Sequence, residues 1–361
     1  MSNSKEIRSL TGIRGIAALY VALYHNLEII GYTGESKAQI FINHGYLSVD
    51  LFFVLSGFVM ALSSKRLFDG PFSLKDYLLF MSKRFARIYP MYLLVICGSF
   101  VFVNHFNGII NFIVGLSLLT IVSGREYVIT HLWSLSTEWI AYLFFPALVK
   151  ITHKFNSPKW MTLLVLVAVS AITYAYILKS DLVSKSTGFA IFPVPALIRC
   201  FAEYILGILA CKFFKDYQGS HAPYRLFALT SFLSIVLLLC FRNVDVLVIV
   251  LFVILVTSIS TDNGVVASFF ASKPIYFLGL ISYSLYLIHP LVLVFGRQNG
   301  YHLGSTLGIL VYVAVLIPLS YLCFKFIELP MQIKINNKIH LATLGNKLDP
   351  RYIAPLPMVK R

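Results

Sequence analysis

Residues 11–26 read TGIRGIAALYVALYHN, an apolar run that carries two groups a bilayer rejects, Arg14 and His25. They stand eleven positions apart, so at about 100° per residue they differ by only about 20° around a helix. At about 1.5 Å per residue they lie roughly 16 Å apart in depth. One helix face therefore has a guanidinium near the bilayer edge and an imidazole well inside. Ionisable groups within spans are costly and mark functional positions.

The rest of the chain suits the same solvent. Hydrophobic residues make up 58% of the 361 and charged residues only 12%, with mean hydropathy +0.80, against roughly 25% charge in soluble domains. This predicts an all-α polytopic membrane helix bundle over 1–330, followed by a basic cytoplasmic tail, 331–361. At about 20 residues per span, candidate spans fall at roughly 12–32, 46–64, 86–105, 132–150, 160–178, 196–214, 224–241, 245–261, 274–295 and 303–325. The apolar piece 109–122 is short for a span and suits an interfacial or re-entrant helix. Ten crossings put both termini in the cytoplasm and gather most of the 30 Lys and Arg there; an eleventh would split them almost evenly, so the positive-inside rule favours ten.

On this arrangement the net charge of +15 belongs to cytoplasmic loops and their contacts with membrane lipids, not to nucleic acid. The five cysteines sit in apolar stretches without close pairing, which argues against a disulfide framework and a zinc site, and no metal is expected. Basic Lys5, Arg8 and Arg14 precede the first apolar run as in a signal peptide, but no small-x-small site follows it. An uncleaved first span is predicted.

Further ionisable groups interrupt the later spans. GYLSVDLFFVLSGFVMAL carries Asp50 near its outer end, with Ser56-Gly57 deeper, where small residues favour close helix packing. KRFARIYPMY sets Arg84 and Arg87 three apart, neighbours on a helix, beside Lys83. Such a cluster serves either as an ordinary cytoplasmic anchor or as a phosphate clamp, because the planar guanidinium binds two oxygens at once. HLWSLSTEWIAYLFFP carries Glu138, which inside a membrane must be neutral or paired. Arg199 and Glu203, four apart, are placed to neutralise each other. His289 precedes Pro290 in ISYSLYLIHP, where a nearby carbonyl can satisfy it, and Glu328 ends the last span in KFIELPMQ. By depth, Arg14, Arg84, Arg87 and Glu328 fall at the cytoplasmic face, and Asp50, Glu138, His289 and, less deeply, His25 in the outer half.

Taken in order, LTGIRGIAAL…YH, SVDLFFVLSGF, the R-x-x-R of Arg84 and Arg87, LWSLSTE, SYSLYLIHP and IELP resemble the acyltransferase 3 family of bacterial integral-membrane O-acyltransferases, over about 8–330 of the chain. The resemblance implies transfer of an acyl group, commonly acetyl from acetyl-CoA, to a hydroxyl of a carbohydrate or other acceptor. It implicates Arg14, His25, Arg84 and Arg87 in activity. Some members append an SGNH-type esterase domain; the sequence stops at Arg361 without one, so the whole transfer is expected in the membrane domain. The expectation is thus an inner-membrane O-acetyltransferase acting on a surface glycan such as a lipopolysaccharide or exopolysaccharide, free or lipid-linked. Arg14, Lys83, Arg84 and Arg87 would hold CoA phosphates, and His25 would be the general base. Asp50 or Glu138 would stabilise its imidazolium, and His289 completes the catalytic set. A secondary transporter, an acyl hydrolase, and a lipid or small-molecule acceptor are the alternatives.

Overall fold

The computed structural model describes residues 6–29, 36–64, 68, 70–102, 109–123, 131–154, 157–185, 193–216, 222–301 and 305–344, and among them there is no strand. Helix α1 (Arg8–Ile29) is followed by α2 (Lys37–Asn43), a 3-10 turn, α3 (Ser48–Ser64), α4 (Leu74–Phe102), α5 (Ile109–Leu116), α6 (Leu132–Lys154), α7 (Pro158–Lys185) and α8 (Pro193–Asp216). Then come α9 (Ala222–Leu238), α10 (Asp245–Ile259), α11 (Val265–Phe270), α12 (Lys273–Leu280), α13 (Ser282–Gln298), α14 (Thr306–Cys323), a π-helical turn (Phe324–Glu328) and α15 (Leu329–Leu344).

Among the described residues, five helical stretches are long and apolar enough to cross a membrane: Lys37–Ser64, Leu132–Thr152, Pro158–Ser180, Pro193–Asp216 and Thr306–Ile339, with the pair α12 and α13 a sixth if counted as one. Their outward faces confirm the solvent. Leu163, Leu166 and Val167 of α7, and Leu307, Leu310 and Val315 of α14, are all exposed, as expected of surfaces that meet hydrocarbon rather than water.

Three features differ from the spans expected. The ninth breaks at Ile281, where α12 and α13 meet at 69°. The third begins earlier, because Ser73 Oγ accepts the Asp76 N–H at 3.3 Å and starts α4 at Leu74, so Lys83, Arg84 and Arg87 lie well inside a helix instead of at its opening; Lys65, Arg66 and Asp69 lie outside the described residues. The tail is helical to Leu344, and 345–361 lie outside the described residues. The piece 109–122 follows the short alternative: α5 has eight residues, roughly 12 Å at 1.5 Å per residue. Its carbonyls at Gly115 and Leu116 accept from Tyr92 and Tyr89 of α4.

Glycine sets how closely the central helices pack. A Cβ on Gly57 would stand 2.3 Å from the Tyr204 carbonyl oxygen, and one on Gly207 2.2 Å from that of Val54, so α3 and α8 meet backbone to backbone. Helix α1 meets α12 in the same way, with a Cβ on Gly279 falling 2.0 Å from the Thr11 carbonyl oxygen. The α1 face lined by Gly15, Ala18 and Ala22 is spent on this packing, and Ala18 and Ala22 are fully buried. Gly207→Leu is expected to lower stability by at least about 1–3 kcal/mol through overpacking, measurable as the unfolding midpoint of the solubilised chain.

The start of α1 is held from across the bundle. Asp262 accepts the backbone N–H groups of Arg8 (3.2 Å) and Ser9 (3.0 Å), and Ser9 Oγ donates to the Ile259 carbonyl at 2.7 Å. These N–H groups have no partner within the helix, and the carboxylate complements its dipole. The depths of Arg14 and His25 are thereby fixed relative to α10.

Candidate active site

Three histidines from three helices converge. His25 (α1) and His289 (α13) have rings stacked at 5.2 Å and 19°, with His25 Nδ1 3.1 Å from His289 Nε2. His131, just before α6, places its ring 4.9 Å from that of His289 and 6.2 Å from that of His25. His289 and His131 are buried, while His25 is half-buried. Of the three, His25 is the one a substrate can reach.

The hydrogen-bond network assigns the protons. His289 Nδ1 lies 2.6 Å from the Tyr286 carbonyl oxygen, which can only accept, so Nδ1 carries the hydrogen and Nε2 the lone pair. His25 Nδ1 faces that lone pair, and its ring also bonds the Val21 backbone one turn earlier; with its hydrogen on Nδ1, His25 keeps Nε2 as the basic nitrogen. Around this pair, Tyr286 bonds Ser134 Oγ at 2.6 Å and donates to the His131 carbonyl at 3.2 Å, locking α13 to the start of α6. Sequence reasoning quoted His131 without singling it out. It stands seven residues before Glu138, on the same helix face.

The arginines come from α1, which carries Arg14, and from α4, which carries Arg84 and Arg87. Arg14 is within electrostatic range of Arg87, Glu138 and Glu328, and Arg84 within range of Arg87 and Glu138. Helix α1 thus carries Arg14 and His25 roughly 16 Å apart, and α6 runs the opposite way with His131 and Glu138 roughly 10 Å apart. Among the described residues, Arg14, Arg84 and Arg87 make no ion pair or hydrogen bond. The buried Arg84 Nε has no acceptor, although its guanidinium carbon lies 5.7 Å from the centre of the Phe80 ring. Lys83 is half-buried beside Arg84.

The acids nearby are committed elsewhere. Glu138 Oε1 accepts from Ser56 Oγ (2.5 Å) and Tyr142 (2.6 Å). Glu328, in the π turn, accepts from Ser284 Oγ at 2.6 Å, which ties the end of the bundle to α13; π turns of this kind recur at functional sites. Three guanidiniums without carboxylate partners among the described residues could hold an anion, since the planar guanidinium suits the bidentate geometry of phosphate.

The structure redistributes two of the expected residues. Glu138, two turns along α6 from His131, is within electrostatic range of Arg14 and Arg84 as well as of Cys200. Asp50 is bound by Arg199, whose Nε donates to its Oδ1 at 3.1 Å. Arg199 therefore pairs across 149 residues rather than with Glu203 one turn away. His25 and His289 meet at one place in the bundle, and Glu138 is within electrostatic range of Arg14 and Arg84 at another.

Fold and site together give a bundle of long apolar helices that holds a cluster of three imidazoles and a separate group of guanidiniums. A family model described as an acyltransferase domain matches residues 7–325, and the chain belongs to that family. Among curated relatives, the O-acetyltransferase OatA of Staphylococcus aureus (strain NCTC 8325 / PS 47) is 23% identical over 369 residues, covering 92% of this chain and 58% of the relative. A protein of Staphylococcus aureus (strain COL), provisionally named an O-acetyltransferase, is 23% identical over 90% of this chain and 57% of its own length. Protein 2 in picA locus of Rhizobium radiobacter is 41% identical over 88 residues, 24% of this chain and 40% of that protein. The chain thus spans little more than half the length of the staphylococcal relatives. No solved structure gives a significant match.

Proposed function

We propose that the chain is an O-acyltransferase of the bacterial inner membrane. It would take an acyl group, acetyl in the first instance, from cytosolic acyl-CoA and place it on a hydroxyl of a cell-surface carbohydrate. Membership of the family and the relatives named as O-acetyltransferases support the reaction class. The observation that carries the site assignment is the presence in one bundle of three guanidiniums without ion pairs among the described residues and a half-buried imidazole, His25, on the same helix as one of them. Ten crossings with both termini in the cytoplasm belong to the same proposal and put the arginines on the donor's side.

Arg14, Arg84 and Arg87, with Lys83 beside them, would hold the donor's phosphates, and acetyl-CoA is the donor whose charge best suits them. His25 Nε2 takes the proton of the acceptor hydroxyl as that oxygen attacks the thioester carbonyl. The new C–O bond forms, the C–S bond breaks, and His25 returns the proton to the departing thiolate. His289 orients His25 through the Nδ1–H bond and passes the polarisation to the Tyr286 carbonyl. Glu138, held by Ser56 and Tyr142, adds negative potential toward the imidazolium.

Release of free thiol from acetyl-CoA by the purified chain in liposomes, with and without a glycan acceptor, tests the assignment. Acceptor-dependent release supports it, acceptor-independent release makes the protein a hydrolase, and uptake without release makes it a transporter. Mass spectrometry of the surface glycan from a deletion strain would show loss of the acetyl increment. Arg84→Ala is expected to raise the donor's KM about ten- to a hundredfold, the loss of one charge-assisted contact, with kcat less affected. Unchanged KM would remove the clamp.

A further inference from the structure

Outside the site just described, α3 and α8 bury a second charged group between them. Asp50 and Glu203 are each 0% exposed and Arg199 5%. Both Arg199 Nε and Nη2 donate to one oxygen of Asp50, Oδ1, and the guanidinium also lies over the Tyr176 ring at 4.7 Å. Tyr176 adds a longer contact to the same Oδ1 at 3.4 Å. That leaves Asp50 Oδ2 and both Glu203 oxygens as buried acceptors without a donor among the described residues. The two carboxyl groups are nevertheless within hydrogen-bonding reach of each other.

The charges do not balance. Two carboxyl groups face one guanidinium. The other titratable groups in range are Cys200 of α8, Tyr176 of α7, Tyr46 of the 3-10 turn and Asp245 at the start of α10. Tyr46 is bound to Asp245, while the one lysine nearby, exposed Lys179, lies over the Tyr46 ring at 5.7 Å. None of these supplies a second positive charge to the buried pair. An unpaired carboxylate at zero exposure costs more than neutralising it, and a proton on one carboxyl supplies the donor that the orphaned oxygens lack.

We infer that Asp50 and Glu203 form a one-proton binding site in the membrane core, with Asp50 ionised against Arg199 and Glu203 held as the carboxylic acid donating to Asp50 Oδ2. This stands whether or not the acyl-transfer proposal holds, since it uses neither the histidines nor Arg14, Arg84 and Arg87.

The test is infrared spectroscopy of the full chain in liposomes at neutral pH. A protonated-carboxyl C=O band, shifted in heavy water, is expected in the unsubstituted chain and lost in Glu203→Gln. It is also expected to be lost in Asp50→Asn, where Glu203 ionises to take over Arg199, and this second variant serves if the first does not fold. Absence of the band from the unsubstituted chain overturns the inference without any variant. So does a band that keeps its full intensity in either folded variant. A sodium-dependent unfolding temperature without the band would assign the site to a metal cation instead of a proton.

Discussion

His25→Ala is expected to slow acyl transfer by about 10²–10⁴-fold, the range general-base catalysis contributes, while leaving donor affinity unchanged. The separation follows from the layout of α1. Arg14 and His25 share a face but lie roughly 16 Å apart, so the imidazole is remote from the groups assigned to the phosphates. The variant removes the only one of the three clustered imidazoles that is more than slightly exposed. His131 and His289 are buried, and the network assigns the His289 hydrogen to Nδ1, bonded to Tyr286. Neither can substitute without its ring turning. His289→Ala keeps the base but releases its tautomer, and should fall between the two. Initial rates of thiol release, read beside equilibrium binding of acetyl-CoA, check both. A folded His25→Ala protein with normal turnover would remove the imidazole from the mechanism, and one that also lost donor binding would show that the two ends of α1 are not independent.

Periodicity was enough to place Arg14 and His25 on one face, because both lie within a single helix and the rule is local. The same rule applied to α6 would have joined His131 to Glu138, seven residues apart. What local rules do not reach is partner choice across the bundle. Arg199 and Glu203 satisfy the one-turn spacing for an ion pair, yet the guanidinium turns to Asp50, because Gly57 and Gly207 bring α3 close enough to compete. The neighbours of Glu138 are out of reach of local rules for a related reason: Arg14 and Arg84, which lie within electrostatic range of it, belong to two other helices. The break at Ile281 falls in LGLIS, where neither proline nor a run of polar residues marks it. The constraint there is tertiary, the contact of Gly279 with the Thr11 carbonyl. The earlier start of α4 did have a local signal, the Ser73 and Asp76 pair of a helix N-terminus, which lies outside the apolar stretch by which the span 86–105 is recognised.

Arg199→Met is expected to destabilise the folded chain by about 3–5 kcal/mol, the cost of breaking a buried ion pair from one side. Methionine fills much of the volume, so the loss is chiefly electrostatic. It leaves Asp50 and Glu203 facing each other with no cation, and both must then be neutral. Asp50→Asn removes the other side of the same bridge, and a simple two-body pair would make its cost similar. The second carboxyl breaks that symmetry. With Asp50 gone, Glu203 is within range to give up its proton and pair with Arg199, so the charge balance is restored at the expense of one hydrogen bond, about 0.5–1.5 kcal/mol net. Equilibrium unfolding of the two variants in the same mixed micelles, compared at neutral pH, separates the cases. Equal losses would mean that Glu203 cannot reach the guanidinium and that the bridge is an isolated pair. A clear excess for Arg199→Met identifies the group as three-membered, with its single positive charge the one member that nothing nearby can replace.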